Sequence, residues 1–292
     1  MPGNVVAMKT IERVGVVGCG LMGSGIAEVS ARAGLDVTVC ESSQAAADAG
    51  MNRITKSLDR AVRAGKLEAS DKERFLDGIR IGIDLERLSS CDLVVEAIAE
   101  DQTLKVALFH RLDEIMRGTD AILASNTSSI PIMKLGISTR RPDLVVGVHF
   151  FNPVPVLNLV EIVPSLLTSA ETVEDVADFA ENVLHKRVIR CQDRAGFVVN
   201  ALLIPFILSA IRMFESGFAA AEDIDTGMIE GCNHPMGPLH LADLIGLDTT
   251  LAVAESLYAE FKEPLYAPPP LLSRMVEANL LGRKTERGFF AY

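Results

Sequence analysis

The chain has 292 residues, 49% hydrophobic and 23% charged, a composition that suits a globular protein long enough for two domains. A formal net charge of −11 argues against nucleic acid as a main partner, because phosphate contacts need a basic surface. Five scattered cysteines (Cys19, Cys40, Cys91, Cys191 and Cys232) show no C-x-x-C spacing and read as free thiols of a reducing compartment, and no metal-ligand cluster appears.

Residues 1–10 lack the apolar core of a signal peptide. The most apolar run, 201–211, is too short to span a bilayer and contains Pro205. A cytoplasmic protein with no membrane partner is expected. Residues 13–17 form a short apolar strand candidate, followed directly by Gly18-Cys19-Gly20-Leu21-Met22-Gly23. A helical pattern over 21–33, closed by Gly34, comes next, and a second strand at 36–40 leads into Glu41.

Strand, G-x-G-x-x-G, helix, strand and acid make up the full dinucleotide-binding fingerprint. Gly18 permits the tight turn, Gly20 lets backbone approach the pyrophosphate, and Gly23 lets the helix pack close to the strand. The helix start at Leu21 and Met22 offers N–H groups to the phosphates. Glu41 is expected to accept hydrogen bonds from the adenosine ribose, and its charge opposes a 2′-phosphate that Ser42, Ser43 and Gln44 do not offset. The expected cofactor is NAD, in preference to NADP.

A helix is read over 45–64. Arg53, Lys56, Arg60, Arg63 and Lys66 recur at spacings of three and four along one face, with Met51, Ile54, Leu58 and Val62 on another. A solvated face is one reading of such a stripe. On so acidic a chain it also suits a phosphate-bearing substrate handle, while being too small for a nucleic-acid surface.

Strand candidates at 79–83, 93–95 and 121–124 alternate with helical patterns, including 103–116. A helix at 173–184 and a strand at 187–190 complete an α/β, Rossmann-type doubly wound sheet, assigned to residues 1–190. His149 ends the apolar run 144–148, Glu161 lies inside a second run, 157–163, and Pro153 and Pro155 mark a turn between them. If the runs pair as antiparallel neighbours, His149 and Glu161 come opposite one another. A carboxylate there fixes the imidazole tautomer and suits it to general-base work; a structural histidine is the alternative for the pair taken alone.

From Gly196 strand signals fade. Residues 197–214, 221–230, 239–261 and 270–278 read as helices, the first kinked at Pro205 and buried through its apolar first half. An all-α C-terminal domain over 191–292 is expected.

Taken together, these residues resemble the 3-hydroxyacyl-CoA dehydrogenase family, including its short-chain 3-hydroxybutyryl-CoA members, over nearly the whole chain. The carriers are the Gly18 to Gly25 stretch, Val95-Glu96-Ala97-Ile98 with Glu100, and Ser125-Asn126-Thr127-Ser128-Ser129. His149-Phe150-Phe151-Asn152-Pro153-Val154-Pro155, Glu161, Gly196-Phe197-Val198-Val199-Asn200 and His234-Pro235-Met236-Gly237-Pro238 add to them. The resemblance implies that His149 is the general base for a 3-hydroxyl, oriented by Glu161, with Ser128 and Asn200 hydrogen-bonding the substrate oxygen. It implies cofactor contacts for Glu100, Lys105, Ser128, Asn152 and Lys284, and CoA contacts for Ser57 and the basic stripe. An acyl-CoA substrate and a homodimer formed through the helical domain are implied as well.

Two positions depart from the family pattern: Ala201 stands where Arg is usual, and Glu286 where Gly is common. A dehydrogenase of free hydroxy acids or sugar acids, and a non-catalytic NAD-binding scaffold, are the competing readings.

Overall fold

One sheet of eight strands organises the first of two units in a computed structural model that describes residues 8–292. This unit ends at Asp193, and the second runs Arg194–Tyr292. The strands are β1 (Arg13–Val17), β2 (Asp36–Cys40), β3 (Ile79–Gly82), β4 (Leu93–Glu96), β5 (Ile122–Ser125), β6 (Val145–Phe150), β7 (Leu159–Pro164) and β8 (Arg187–Arg190). Their order is β3-β2-β1-β4-β5-β6-β7-β8. All neighbours pair parallel except β6 and β7, which run antiparallel. The chain winds outward from β1 in both directions, so a switch point lies between β1 and β4, where open α/β sheets bind ligands beyond their strand C-termini.

Central strands covered on both faces need continuous apolar sequence, and β4, β5 and β6 are buried at every residue. Helices α1 (Leu21–Arg32), α2 (Gln44–Arg63), α3 (Ala69–Asp77), α4 (Gln102–Ile115), α5 (Ile132–Gly136) and α6 (Ala170–Asp178) belong to this unit. Ile26 of α1 and Ile54 and Leu58 of α2 join Val14, Val16, Val37, Val39 and Val95 in its main core. No helix was expected over α3, a largely polar segment in which only Phe75 is buried. Helix α6 starts earlier than expected because Ser169 caps it, accepting from the Thr172 N–H, and it ends in a π-helical turn, Phe179–Val183.

The second unit is helical: α7 (Val199–Glu215), α8 (Ala221–Cys232), α9 (Pro238–Ile245), α10 (Leu247–Phe261) and α11 (Pro270–Glu277). Ile204, Ile207, Leu208, Ile211, Leu239, Leu257 and Leu272 form its core. Two expectations are corrected here. The helix read over 239–261 is broken at Gly246, whose φ of +101° lies outside helical space. The first half of α7 is not wholly buried, since Leu202 is 72% exposed: the core of this unit covers only the other side of the helix. No helix among the described residues is long and apolar enough to cross a membrane.

Candidate active site

The glycine loop joins β1 to α1, and its three glycines have different reasons to be glycine. Gly18 has φ +88°, and a Cβ there would lie 2.7 Å from the Ala97 carbonyl oxygen. A Cβ on Gly23 would lie 1.8 Å from the Gly18 oxygen, so any side chain would force helix and loop apart. A Cβ on Gly20 would meet nothing within 4 Å, which leaves that side of the loop open to a ligand. Gly20 is also the N-cap of α1 and supplies no side-chain acceptor, so the first-turn N–H groups at Leu21 and Met22 suit an anion.

Glu41 follows β2 and accepts hydrogen bonds from the Cys19 N–H at 2.5 Å and the Ser42 N–H at 3.1 Å. Arg53 reaches the same turn from α2, its Nη1 donating to the Cys19 carbonyl at 3.2 Å. Burial, reinforced by the Glu41 charge, pushes the Cys19 thiol up to about 12, so it stays protonated inside the loop. An open backbone cradle, a helix N-terminus and an acid at the end of β2 are together the fit a dinucleotide requires.

Two carboxylate clusters follow at the ends of β4 and β5, the first buried and the second partly exposed. Glu96 is 0% exposed and accepts from Ile98 N–H (2.7 Å), Ser125 Oγ (2.6 Å) and Lys105 Nζ (2.5 Å). Lys105 Nζ also lies 3.2 Å from Glu100. Glu100 in turn accepts from Thr127 Oγ1 (2.5 Å), Ser128 N–H (3.0 Å), Ser129 N–H (3.2 Å) and Ser129 Oγ (3.0 Å). Partial burial works against the Glu100 charge, but the Lys105 ammonium and these donors outweigh it and hold the carboxyl below the usual range. Lys105 is therefore enclosed between two acids, and its ammonium locks the strand end to the Ser128 turn. Glu96 was not among the expected site residues; its signal is an acid closing the apolar run 93–95.

The expected pairing of the His149 and Glu161 strands is present. The β6–β7 ladder sets His149 directly opposite Glu161, and Nδ1 lies 2.7 Å from Oε2. Glu161 is 0% and His149 7% exposed, and the Phe151 ring packs edge-on against the imidazole at 4.6 Å. Asn126, unremarked as a site residue in the sequence, accepts the Phe150 N–H at 2.9 Å and closes the β6 end. With Nδ1 turned to the carboxylate, Nε2 occupies the opposite edge of the ring, where a general base would meet a hydroxyl.

Ser128 follows β5 and Asn152 is exposed in the loop after β6. Along the stripe, Arg53, Lys56, Arg60 and Arg63 belong to α2, and Arg53 and Arg63 are among its exposed residues. Lys66 does not share that helix face: α2 ends at Arg63, and Gly65, at φ +65°, turns the chain before Lys66. The Ser57 hydroxyl faces Glu28 of α1, whose carboxyl is pushed up by burial against the opposing effects of Ser57, Arg32 and Arg60.

Asn200 and Lys284 belong to the second unit. Asn200 opens α7, and Lys284 Nζ is held by Asp248 at 2.7 and 3.0 Å and Thr249 Oγ1 at 3.3 Å. Glu286, two residues on, has φ +60°. In the first unit, Gly18, Glu41, Glu100, Ser128 and His149 all come from the C-terminal ends of parallel strands or the turns that follow them, so one sheet edge carries the whole set.

Residues 13–194 match the family model described as "3-hydroxyacyl-CoA dehydrogenase, NAD binding domain", and residues 196–292 match "3-hydroxyacyl-CoA dehydrogenase, C-terminal domain". The chain is 56% identical over 282 residues to a 3-hydroxybutyryl-CoA dehydrogenase of Mycobacterium tuberculosis, covering 97% of this chain and 99% of that protein. Its fold matches the crystal structure of M. tuberculosis FadB2 with a TM-score of 0.96, at 56% identity, over 97% of this chain and all (100%) of that one. The (S)-3-hydroxybutyryl-CoA dehydrogenase of Ralstonia eutropha matches with a TM-score of 0.91 at 46% identity, over 97% and 99% of the two chains.

Proposed function

The chain belongs to the 3-hydroxyacyl-CoA dehydrogenase family, and from that premise we propose that it interconverts (S)-3-hydroxybutyryl-CoA and acetoacetyl-CoA, using NAD. It is an oxidoreductase, and the single observation that carries the chemistry is the buried His149–Glu161 pair on the strand edge that also bears the dinucleotide cradle. In the oxidative direction His149 takes the proton of the 3-hydroxyl at Nε2, and Glu161 holds the ring in the tautomer that leaves Nε2 as acceptor. In the reductive direction the protonated ring returns that proton to the forming alkoxide. NAD, when bound, supplies the hydride acceptor or donor.

Ser128 and Asn200 hydrogen-bond the substrate oxygen in this reading. Gly18, Gly20, Gly23, Leu21 and Met22 carry the pyrophosphate, and Glu41 the adenosine ribose. Glu100, Ser128, Asn152 and Lys284 serve the nicotinamide side, and Lys105 acts there through the charge it gives Glu100. Lys56 and Arg60 form the handle for CoA phosphates, with Ser57 beside them, and Arg53 divides its guanidinium between that handle and the glycine loop. The Rossmann-type unit binds cofactor; the helical unit contributes to substrate binding and forms a homodimer, for which exposed Leu202 and Phe218 supply apolar surface. The enzyme works in the cytoplasm.

The test is NADH oxidation by the purified protein with acetoacetyl-CoA, free acetoacetate and NADPH in parallel. Turnover of the thioester with NADH, lowered about a thousandfold but still measurable in His149→Ala, is the expected result. Turnover of free acetoacetate at an equal rate would move the assignment to a free-acid dehydrogenase, and NADH binding without turnover to a scaffold.

A further inference from the structure

Lys186 is 8% exposed and, among the described residues, makes no ion pair. A buried ammonium without a carboxylate is costly unless its protons are well placed. Here they go to backbone: Nζ donates to the Val154 carbonyl at 2.6 Å and the Leu157 carbonyl at 2.9 Å. Both carbonyls belong to the loop that leaves β6 just after His149 and enters β7 just before Glu161.

Other carbonyls of that loop are satisfied by backbone N–H groups. The Pro153 oxygen accepts from Val156 and Leu157, and the Asn158 oxygen accepts from the Arg187 N–H at 2.7 Å. Lys186 thus satisfies two carbonyls for which the turn's own hydrogen bonds make no provision. Its backbone is itself fixed, donating to the Ala180 oxygen at the π-helical turn. The clamped segment also presses on α1: Val154 is 2% exposed, and a Cβ added at Gly25 would lie 2.8 Å from its Cβ. One ammonium therefore ties together the catalytic strand pair and the helix that opens on the cofactor loop.

We infer that Lys186 is a positioning residue for the His149–Glu161 pair, acting through the Val154 and Leu157 carbonyls. The inference rests on His149 being the base of the proposed reaction. Burial, and then the charge of Arg32, push the Lys186 ammonium below the usual lysine value, as expected of a cation solvated by carbonyls instead of water. An open cavity lined by Arg32, Pro155, Asn158 and His185 flanks it, so arginine can be accommodated there and can keep the donors.

The experiment compares Lys186→Met and Lys186→Arg, each alone and each combined with His149→Ala, by kcat for acetoacetyl-CoA. Nitrogen NMR of the His149 imidazole is recorded for the two single variants and the wild type. Lys186→Met is expected to lower kcat about tenfold or more, since small misplacements of a reacting group cost that much. Lys186→Arg should recover most of the loss. In the His149→Ala background Lys186→Met should add nothing, because its target is gone. The imidazole signals should move in Lys186→Met and stay in Lys186→Arg. Equal losses on both backgrounds, or an unmoved imidazole, would overturn the inference. Should the wild type fail to turn over the thioester, the functional proposal falls, and the imidazole signals still decide whether Lys186 sets the ring.

Discussion

Glu161 Oε2 meets His149 Nδ1 at 2.7 Å because the two residues are direct cross-strand partners, so backbone hydrogen bonds on either side set their distance. A shift of one residue would turn Glu161 to the other face of the sheet. In the proposed reaction this register is part of what sets the acid–base pair, and it is held by buried neighbours, Val148, Phe150, Val160 and Ile162.

Glu161→Gln keeps the size of the side chain and removes its charge. We expect kcat to fall by roughly a hundredfold or more, the usual reach of a positioned acid–base group, with thioester KM little changed. Steady-state rates of NADH oxidation measure this. A raised KM with kcat intact would mean that the pair binds and does not catalyse.

Gly20→Ala and Gly23→Ala should fail in different ways. At Gly20 there is room for the methyl, so the melting temperature should hold while NADH affinity drops, since the added carbon occupies the ligand's side of the loop. At Gly23 the methyl meets the Gly18 oxygen, and overpacking of this kind costs about 1–3 kcal/mol or more. Calorimetry with NADH titration separates the two outcomes.

Glu286 occupies the left-handed region at φ +60°, where a non-glycine residue is strained. Glu286→Gly removes that strain and gives back part of it as unfolded-chain entropy, for a net gain of about 0.5–1 kcal/mol. Urea unfolding should show a higher midpoint. An unchanged midpoint would mean that contacts of the Glu286 side chain compensate for its backbone.

The Glu100 carboxyl lies below its ordinary value in the folded protein. A depressed folded value adds stability that is complete above the unfolded value, about 4.3 for Glu, and that disappears as pH falls through the folded one. The stability gap between wild type and Glu100→Gln should therefore be widest near neutrality and close on acidification. Urea midpoints across an acid series test this, and a gap that widens toward low pH would reverse the assignment.

The strands β1, β2 and β8 were legible to the residue, because short apolar runs flanked by turn signals leave little choice of register. The His149–Glu161 apposition was legible for a related reason: two such runs around a proline turn fold back in one way. Helix α3 was not, since a polar segment that buries only Phe75 carries almost no periodic signal. The break at Gly246 was hidden because the apolar period continues across it; the glycine is needed for its φ of +101°, which L side chains rarely adopt. The Glu96–Lys105 lock joins a strand to a helix nine residues on, and spacing alone does not announce an ion pair that only tertiary packing creates.

The bond from Arg53 to the Cys19 carbonyl gives α2 two obligations. If, as proposed, the same residue meets the CoA phosphates, it cannot answer one ligand without the other sensing it. Thermodynamic linkage then demands reciprocity under the proposed binding: by whatever factor the thioester's phosphates, acting through Arg53, change the affinity for the dinucleotide, the dinucleotide changes the affinity for the thioester by the same factor.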